Sequence, residues 1–536
     1  MSLRWGTAGH KALLCGAALL IGTAAGVLPV PIAGALVVGV VLMVLVAIEP
    51  MAGLAITLGV GPLKTLIETE AAYPLPIDVG QIALAATFGA WFAHKAAKRE
   101  SPHPYLCALL PYLRTREVSE DLSPPGHADK HSFAAPGARD LKPNTQALHV
   151  FLPLLLFIFV SALSLIEAPA LGAGLRELLK WVEVALVAAL TRDLIGDDAQ
   201  RLRWAVWAVL VAGAGHALIG IYEFFGGSGA DHLAITISGG RYYRAFGSFG
   251  QPNPFAGFMG VCLPLALGGL WSALSGKDRL GSVMYGGAAA LTAGGLLAAW
   301  SRGAWMGAAA AGVMMALFLP HKLRHGLMLL GGLLMLLALV WASGKLPGAI
   351  MARITDFTDI GEALSDVRGV DIDGVNYAEV ERFAHWQAAL GMAEAQPWLG
   401  VGLGNYPVVY PDYALMNWPD PLGHAHNYYL NTLAETGLLG LGAYLLMGAA
   451  VIGATLRVLR SPAMPRWERG VALGLLGIWT HLAVHSLLDK LYVNNVFLHI
   501  GVLLGILAAL HTEESAVLSY SRVETRSNDR FDNRDF

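Results

Sequence analysis

Charged residues are scarce in this chain, and their scarcity excludes most soluble folds. Only 14% of the 536 residues are Asp, Glu, Lys or Arg, whereas 55% are hydrophobic, and the mean hydropathy is +0.54. A soluble domain of ordinary composition is about 25% charged. The formal net charge is only -3, so no strongly basic surface is indicated and no nucleic-acid partner is expected. The composition predicts a polytopic membrane protein.

Cysteine is almost as scarce. Cys15, Cys107 and Cys262 fall in or beside different apolar or polar segments. This placement indicates neither a disulfide framework nor a metal–thiolate cluster. We interpret the three residues as packing residues.

Apolar runs of membrane-spanning length recur along the chain. Candidate spans lie at 12–28, 30–48, 51–68, 79–95, 148–166, 176–193, 203–224, 252–274, 282–300, 303–320, 326–343, 427–455, 469–488 and 493–511, the third being the weakest. We therefore predict an all-α polytopic membrane protein with about 12–14 transmembrane helices. The first run leads straight into further spans, so no cleavable signal peptide is expected.

Basic loops set the predicted orientation. Alternating the spans from a cytoplasmic N-terminus puts the basic segments 95–99, 192–203, 277–279, 322–324 and 457–469 on one side. That side is cytoplasmic, because positively charged loops stay there. The loops 225–251 and 344–425 and the Ser301–Gly303 junction then face outward.

Six regions follow from this pattern. They are N-terminal transmembrane helices at 1–99, a polar cytoplasmic linker at 100–147, transmembrane helices with arginine motifs at 148–343, an outer loop domain at 344–425, C-terminal transmembrane helices at 426–511 and a disordered cytoplasmic tail at 512–536. The linker and the tail are too polar to pack a core. In the outer loop domain an amphipathic helix, ended by Pro397, is predicted from the helical spacing of Val380, Phe383, Trp386, Leu390 and Ala393.

Ionisable residues concentrate at one level of the predicted bundle. At the outer level lie Arg176, Lys180, Glu183, Glu223, Arg244, Arg302, His426, His481 and His485. Charges inside a membrane are costly, and charges scattered for packing reasons would not favour one leaflet. The pattern predicts a polar cavity open to the outer face.

Three motifs in the outer segments carry chemistry. Arg244 precedes the broken stretch Ala-Phe-Gly-Ser-Phe-Gly250-Gln-Pro-Asn253, and Arg302 opens a span within Trp-Ser-Arg-Gly. Arginine suits a diphosphate because its planar fork makes paired, charge-assisted hydrogen bonds; the alternative is that each arginine marks a membrane boundary. The third motif is His426-Asn427 followed after nine residues by Gly437-Leu-Leu-Gly440. A histidine at the mouth of a cavity can act as a proton acceptor.

These motifs, together with the segment Gln396–Asn405, resemble those of the O-antigen ligase and polymerase superfamily, over roughly residues 240 to 450. Members are bacterial enzymes that move finished glycans off a lipid carrier. The resemblance implies a GT-C-like glycosyltransferase in the bacterial inner membrane, with a large helical periplasmic loop and an active site facing the periplasm. The linker 100–147 is not part of the family pattern, and the predicted span count exceeds the number usual for the ligases.

What the resemblance implies is a metal-independent, inverting transfer that needs no cofactor. The donor would be a glycan linked to undecaprenyl diphosphate, with Arg244 and Arg302 binding the diphosphate and His426 taking the proton from an acceptor hydroxyl. The leading reading is an O-antigen ligase, whose acceptor is lipid A-core. An O-antigen or exopolysaccharide polymerase would use another lipid-linked repeat unit, and a protein O-oligosaccharyltransferase a serine. A membrane transporter is the alternative from a different class.

Further residues are candidates to support the site, namely Arg176, Lys180, Asn253, Arg382, Asn427 and His424. Asn427 can orient the base or cap a helix, and we favour the cap. His424 is the rival base, although two residues' separation on a helix would point it away from His426. Arg176 and Lys180 can bind the diphosphate or form salt bridges with Glu183 and Glu223.

No metal site is predicted. Asp371-Ile-Asp373 is the nearest approach to a metal-binding acidic pair, and His481 and His485 share a helix face without an indicated third ligand. We interpret the two histidines as polar cavity lining. The glycines of Gly400-Val-Gly402-Leu-Gly404 indicate a tight turn rather than a phosphate cradle, and Gly437 and Gly440 indicate close helix packing.

Overall fold

The computed structural model describes residues 30–65, 78–97, 145–227, 230–237, 239–345, 366–372, 376–462 and 464–510, with the single positions 348 and 351. The predicted span at 12–28, Cys15, Cys107, nearly all of the linker, Asp373 and the C-terminal tail lie outside these residues. The helix that follows the linker begins at Thr145.

Helices dominate the described part of the chain. They are α1 (Val30–Ile48), α2 (Pro50–Val60), α3 (Val79–Ala97), α4 (Thr145–Ser164), α5 (Leu171–Ile195), α6 (Ala199–Tyr222), α7 (Pro252–Gly276), α8 (Arg279–Ala298), α9 (Arg302–Phe318), α10 (Leu323–Ala342), α11 (Tyr377–Ala395), α12 (Tyr428–Arg460), α13 (Arg466–His485) and α14 (Val496–Leu510). Their bounds follow the predicted spans to within several residues. The weak third span is the short helix α2, which has 11 residues. Helix α11 confirms the amphipathic helix predicted in the outer loop domain.

Six of the described helices are long and apolar enough to cross a membrane, namely α4, α6, α7, α8, α10 and α12. Shorter apolar helices occur at Val38–Ile48, Pro50–Val60, Arg302–Phe318 and Val496–Leu510. Only 6% of the apolar window of α10 is buried, which fits a helix surrounded by lipid. The chain is an all-α polytopic membrane protein, as predicted, and the total of about 12–14 spans stays a prediction.

Small residues hold the centre of the bundle together. Helix α13 packs against α7 and α9, and α12 packs against α4. A Cβ atom added to Gly268 of α7 would lie 2.1 Å from the carbonyl oxygen of Gly470 in α13. Glycine allows this backbone approach, which is how helices pack tightly in a membrane. The packing fixes α9, and with it Arg302, against α13.

A β-hairpin interrupts the helical pattern between α6 and α7. Strand β1 (Ala234–Ile237) pairs antiparallel with β2 (Gly240–Tyr243), with Ala234 opposite Tyr243. The sequence did not indicate this hairpin. It leads directly into Arg244, whose backbone N–H donates to the carbonyl of Leu233 at 2.9 Å.

Candidate active site

A buried carboxylate accepts hydrogen bonds from the loop that carries Arg244. Glu223, at the end of α6, accepts hydrogen bonds from the backbone N–H groups of Phe246 at 2.9 Å and Gly247 at 2.7 Å. The N–H of Ala245 donates to the carbonyl of Ala298 at 3.0 Å. Glu223 therefore fixes the arginine loop.

The two predicted arginine motifs meet at Asn253. Arg244 donates through Nε to the carbonyl of Ala299 at 3.2 Å and through Nη2 to Asn253 Oδ1 at 3.4 Å. Ser301 Oγ donates to the same Asn253 oxygen at 2.9 Å. Ser301 occupies the N-cap position of α9, and Arg302 is the first residue of that helix. Motifs almost 60 residues apart thus share one amide side chain.

Helix α11 places further charged side chains beside Arg244 and Arg302. Arg302 forms an ion pair with Glu379, and their side chains are only 13% and 14% exposed. Arg382 lies one turn further along α11, and its Nε atom is buried without a hydrogen-bond partner within the described residues. Burial, and then the positive charges of Arg382 and Arg302, lower the pKa of Arg244 to about 10. Arg244, Arg302 and Arg382 therefore form one cationic cluster, an arrangement suited to an anion.

His426 lies in a loop that hydrogen bonds hold at both ends. Asn427 caps α12, because its Oδ1 accepts from Tyr429 N at 3.0 Å and Leu430 N at 3.1 Å. This confirms the capping role. On the other side, Ala425 N donates to Asn431 Oδ1 at 3.1 Å. His426 itself has a φ of +52°, a left-handed conformation that is uncommon for a non-glycine residue and occurs at functional sites.

This turn brings His424 and His426 together around Asp489. The ring centroids of the two histidines are 4.4 Å apart. His424 Nε2 lies 3.6 Å, and His426 Nδ1 lies 4.0 Å, from Asp489 Oδ1. The expectation that the histidines point apart was wrong, because it assumed a helix where the chain forms a turn.

The hydrogen bonds distinguish the two imidazoles. The backbone N–H of His426 donates to Nδ1 of His424 at 3.0 Å. A neutral His424 ring must therefore carry its proton on Nε2, which faces Asp489. Neither ring nitrogen of His426 has a hydrogen-bond partner among the described residues. The 4.0 Å separation of His426 Nδ1 from Asp489 Oδ1 favours the tautomer that carries its proton on Nδ1 and a lone pair on Nε2.

The surroundings of the two histidines favour their neutral forms. Burial, together with the charges of His424 and Arg382, lowers the pKa of His426 to about 4, although Asp489 acts to raise it. Burial likewise lowers the pKa of His424 to about 4. Although burial alone would raise the pKa of Asp489, the neighbouring histidines and Arg382 bring it below its ordinary value. A neutral imidazole beside an ionised carboxylate is suited to accepting a proton.

His424, His426 and Asp489 are also spaced closely enough to be considered as metal ligands, since their donor atoms lie within 4.8 Å of one another. The hydrogen bond to His424 Nδ1 argues against this use. A neutral imidazole that binds a metal through Nε2 carries its proton on Nδ1, where the His426 N–H already donates. The positive charge of Arg382 nearby opposes a cation as well.

Lys180 belongs to a group of ion pairs around Glu177. Lys180 pairs with Glu177 at 2.5 Å, and Lys490 reaches the same carboxylate at 3.2 Å. Glu183 accepts instead from Gln81 at 2.8 Å, and Arg176 lies on an exposed face of α5. Lys180 therefore helps to fix Lys490, next to Asp489.

The glycine motifs allow α12 to pack closely against the segment 397–404. Gly437 interrupts α12 with φ +64° and ψ -168°. The N–H of Leu438 then donates to the carbonyl of Pro397 at 2.8 Å, and a Cβ on Gly437 would lie 2.3 Å from the Trp398 backbone. Gly400, Gly402 and Gly404 all have positive φ. These glycines make the tight turn that the sequence predicts, and Gly437 serves close packing.

His481 and His485 lie buried between helices. A Cβ on Gly260 or Gly307 would fall 1.9 Å or 2.7 Å from the His481 ring, and one on Gly303 would fall 2.9 Å from His485. The two histidines thus fill space that glycines leave in α7 and α9.

Sequence reasoning missed Asp489, Glu379 and His385. His385 is 1% exposed, stacks on Tyr410 and has its ring centroid 5.6 Å from that of His426. Two signals were present in the sequence. Asp489 directly follows an apolar span at the level of the other ionisable residues, and Glu379 and His385 lie three residues on either side of Arg382 in a predicted helix.

Comparison with known proteins bears on this site. Residues 287–445 match the family model described as O-antigen ligase. The match includes Arg302, Glu379, Arg382, His424 and His426, whereas Arg244 and Asp489 lie outside it. No curated protein matches the chain. The match supports a resemblance to the O-antigen ligase-like superfamily over residues 287–445, within a chain whose apolar helices are those of a polytopic membrane protein.

Proposed function

We propose that this protein is an O-antigen ligase of the bacterial inner membrane. It transfers a glycan from undecaprenyl diphosphate to a hydroxyl of lipid A-core at the periplasmic face. The observation that carries the proposal is that Arg382, one of the three clustered arginines, lies close enough to act electrostatically on His424, His426 and Asp489, which themselves lie together.

The arginine cluster binds the donor diphosphate. Arg244 and Arg302 supply fixed guanidinium groups, and Arg382 adds a buried Nε–H that has no partner within the described residues. Glu379 already pairs with Arg302, so this guanidinium accommodates oxygen anions, and a phosphate displaces the carboxylate on binding. The N-terminus of α9 adds partial positive charge beside Arg302. Together these groups stabilise the charge that develops on the leaving diphosphate, so the transfer needs no metal.

His426 is the general base. Its Nε2 accepts the proton from the acceptor hydroxyl as the oxygen attacks the anomeric carbon. Asp489 faces Nδ1, fixes the ring tautomer and stabilises the imidazolium that forms. His424 Nδ1 is already engaged by a backbone N–H, so His424 positions Asp489 and the loop. Attack from the face opposite the diphosphate inverts the anomeric configuration.

Purified protein in proteoliposomes tests the proposal. The donor is an undecaprenyl diphosphate-linked glycan, and lipid A-core is the acceptor. We expect glycan on lipid A-core together with release of undecaprenyl diphosphate. His426→Ala and Arg302→Ala should each abolish the product, while His424→Gln should retain measurable transfer.

The controls separate this function from the alternatives. Each variant must be present in the membrane at the level of the wild type. Longer glycans on the lipid carrier, with none on lipid A-core, would identify a polymerase instead. Donor consumption that survives in the His426→Ala variant alone would assign the base to His424.

A further inference from the structure

A separate apolar cavity of about 290 Å³ lies among α4, α5, α12, α13 and α14. Its lining includes Leu154, Met447 and Ile500, and aromatic rings from Trp181, Tyr444 and Tyr492. The tyrosine hydroxyls at its edge bond within the protein, Tyr429 to the Ala483 carbonyl at 2.9 Å and Tyr444 to Tyr492 at 2.8 Å. No polar ligand is needed to satisfy them, so the cavity suits a hydrocarbon.

The cavity opens sideways, toward the membrane. Gly448 and Leu445 of α12 belong to its lining and are exposed on the side of the bundle. A Cβ atom added to Gly448 would meet no atom within 4 Å. A lipid chain can therefore enter from the bilayer between the helices without passing through water.

The cavity and the arginine cluster lie on different faces of α13. Trp479, Leu482 and Ala483 line the cavity. His481 and His485, on the other face of the same helix, pack against α7 and α9, and Arg302 begins α9. The cavity is therefore separated from the diphosphate site by a helix.

Aromatic contacts connect the cavity to the histidine loop. The ring of Tyr428, two residues after His426, lies with its centroid 5.2 Å from that of Tyr444 and 4.7 Å from that of Tyr492. Tyr492 follows Asp489 by three residues. The cavity thus adjoins the histidine loop through Tyr428, whereas α13 separates it from α9 and Arg302. In an inverting transfer the acceptor must approach from the side opposite the diphosphate.

We propose that this cavity binds a hydrocarbon chain of the glycolipid acceptor, an inference that rests on the proposed ligase function. The chain anchors lipid A-core in the bilayer so that its sugar hydroxyl reaches His426. The donor's polyprenyl chain lies elsewhere, because its diphosphate is held across α13.

Filling the cavity tests this assignment. Gly448→Trp places an indole in the lateral opening, and Gly453→Trp is the matched control, because Gly453 lies on the same helix outside the cavity lining and its Cβ would also meet no atom within 4 Å. Each variant is assayed with intact lipid A-core, with fully deacylated lipid A-core and with varied donor. We expect Gly448→Trp to raise the KM for intact acceptor about tenfold, equivalent to roughly 1.4 kcal/mol. The KM values for deacylated acceptor and for donor should not change.

The outcomes separate this inference from the proposed function. Wild-type protein that cannot glycosylate lipid A-core would overturn the ligase, and the acceptor assignment with it. Wild-type transfer with equal KM values for both tryptophan variants would overturn the cavity assignment alone. An increase in donor KM confined to Gly448→Trp would assign the cavity to the donor's polyprenyl chain.

Discussion

At the scale of single residues, the chemistry of the site depends on which imidazole nitrogens carry protons. His424 has one nitrogen engaged by the backbone of His426, and its other nitrogen faces Asp489. Within the described part of the chain, neither ring nitrogen of His426 has a hydrogen-bond partner, so in the proposed mechanism one of them accepts the proton. Two histidines only two residues apart thus take different roles, because one backbone N–H selects the tautomer of His424.

The pKa of His426 predicts an unusual pH dependence. Its value of about 4 in the free protein leaves the imidazole deprotonated and active well below the ordinary histidine pKa of about 6.5. We expect kcat/KM to stay level from about pH 7 to about pH 5 and to fall as the pH decreases through about 4. The rate of undecaprenyl diphosphate release, measured across this pH range, gives the pH dependence of kcat/KM. Half-maximal kcat/KM near pH 6.5 would show that the base is exposed or is another group.

The Asp489→Asn variant tests whether Asp489 acts on His426 during catalysis or on binding of the donor. The amide removes the charge that raises the pKa of His426 and stabilises its protonated form, so we expect kcat to fall by about 100-fold or more. The acidic limb of kcat/KM should move to lower pH, and the donor KM should change little. Steady-state kinetics over a pH series provides the measurement. A large increase in donor KM with unchanged kcat would mean that Asp489 acts only on diphosphate binding.

At the scale of elements, a break in α12 lets this helix, which begins after the histidine loop, bind the segment of Pro397 and Trp398. The N–H groups that the break at Gly437 frees are taken by carbonyls of Pro397 and Trp398. The sequence indicated a helix here and close packing at its glycines, because apolar periodicity and glycine spacing are local signals. It did not indicate the break, which exists because a second segment supplies the missing acceptors.

Gly437→Ala should therefore destabilise the protein strongly. The backbone angles at Gly437 belong to a region that only glycine occupies readily, and the added Cβ would meet the Trp398 backbone. We expect the free energy of unfolding to fall by about 1–3 kcal/mol. A lower thermal unfolding midpoint in detergent measures this loss. Gly442→Ala is the control, because its Cβ would meet no atom within 4 Å and alanine favours the helix. Equal unfolding midpoints for the two variants would contradict close packing of Gly437 against the Trp398 backbone.

At the scale of the whole molecule, the segment Asp489–Asn495 connects distant parts of the chain. Besides Asp489 at the histidines and Lys490 at Glu177, Asn494 Nδ2 donates to the Phe249 carbonyl at 2.8 Å. Asn495 Nδ2 donates to the Gly61 carbonyl and to Asp78 Oδ2, both at 2.9 Å. One short segment thus links the arginine loop, the histidine loop and the N-terminal helices.

Two substitutions of Asn495 separate the cost of its left-handed backbone conformation from the contribution of its side-chain hydrogen bonds. Its φ is +60°, which costs alanine about 1–2 kcal/mol but glycine almost nothing. We expect Asn495→Ala to lower the free energy of unfolding by about 3 kcal/mol, since two hydrogen bonds are lost as well. Asn495→Gly should lose about 1–2 kcal/mol less than that. Denaturant unfolding in detergent measures both, and equal losses would show that the left-handed conformation carries no strain.

The sequence by itself determined the membrane character, the position of most helices, the glycine turns and the residues Arg244, Arg302 and His426 as candidates for chemistry. These follow from hydropathy, periodicity and short motifs, which are properties of neighbouring residues. Only the tertiary structure decided that Asn253 joins the two arginine motifs, that Glu379 and Arg382 belong with them, and that Asp489 faces both histidines. Those relations join residues up to 138 positions apart, and no local pattern encodes which buried charges will share a site once the helices have packed.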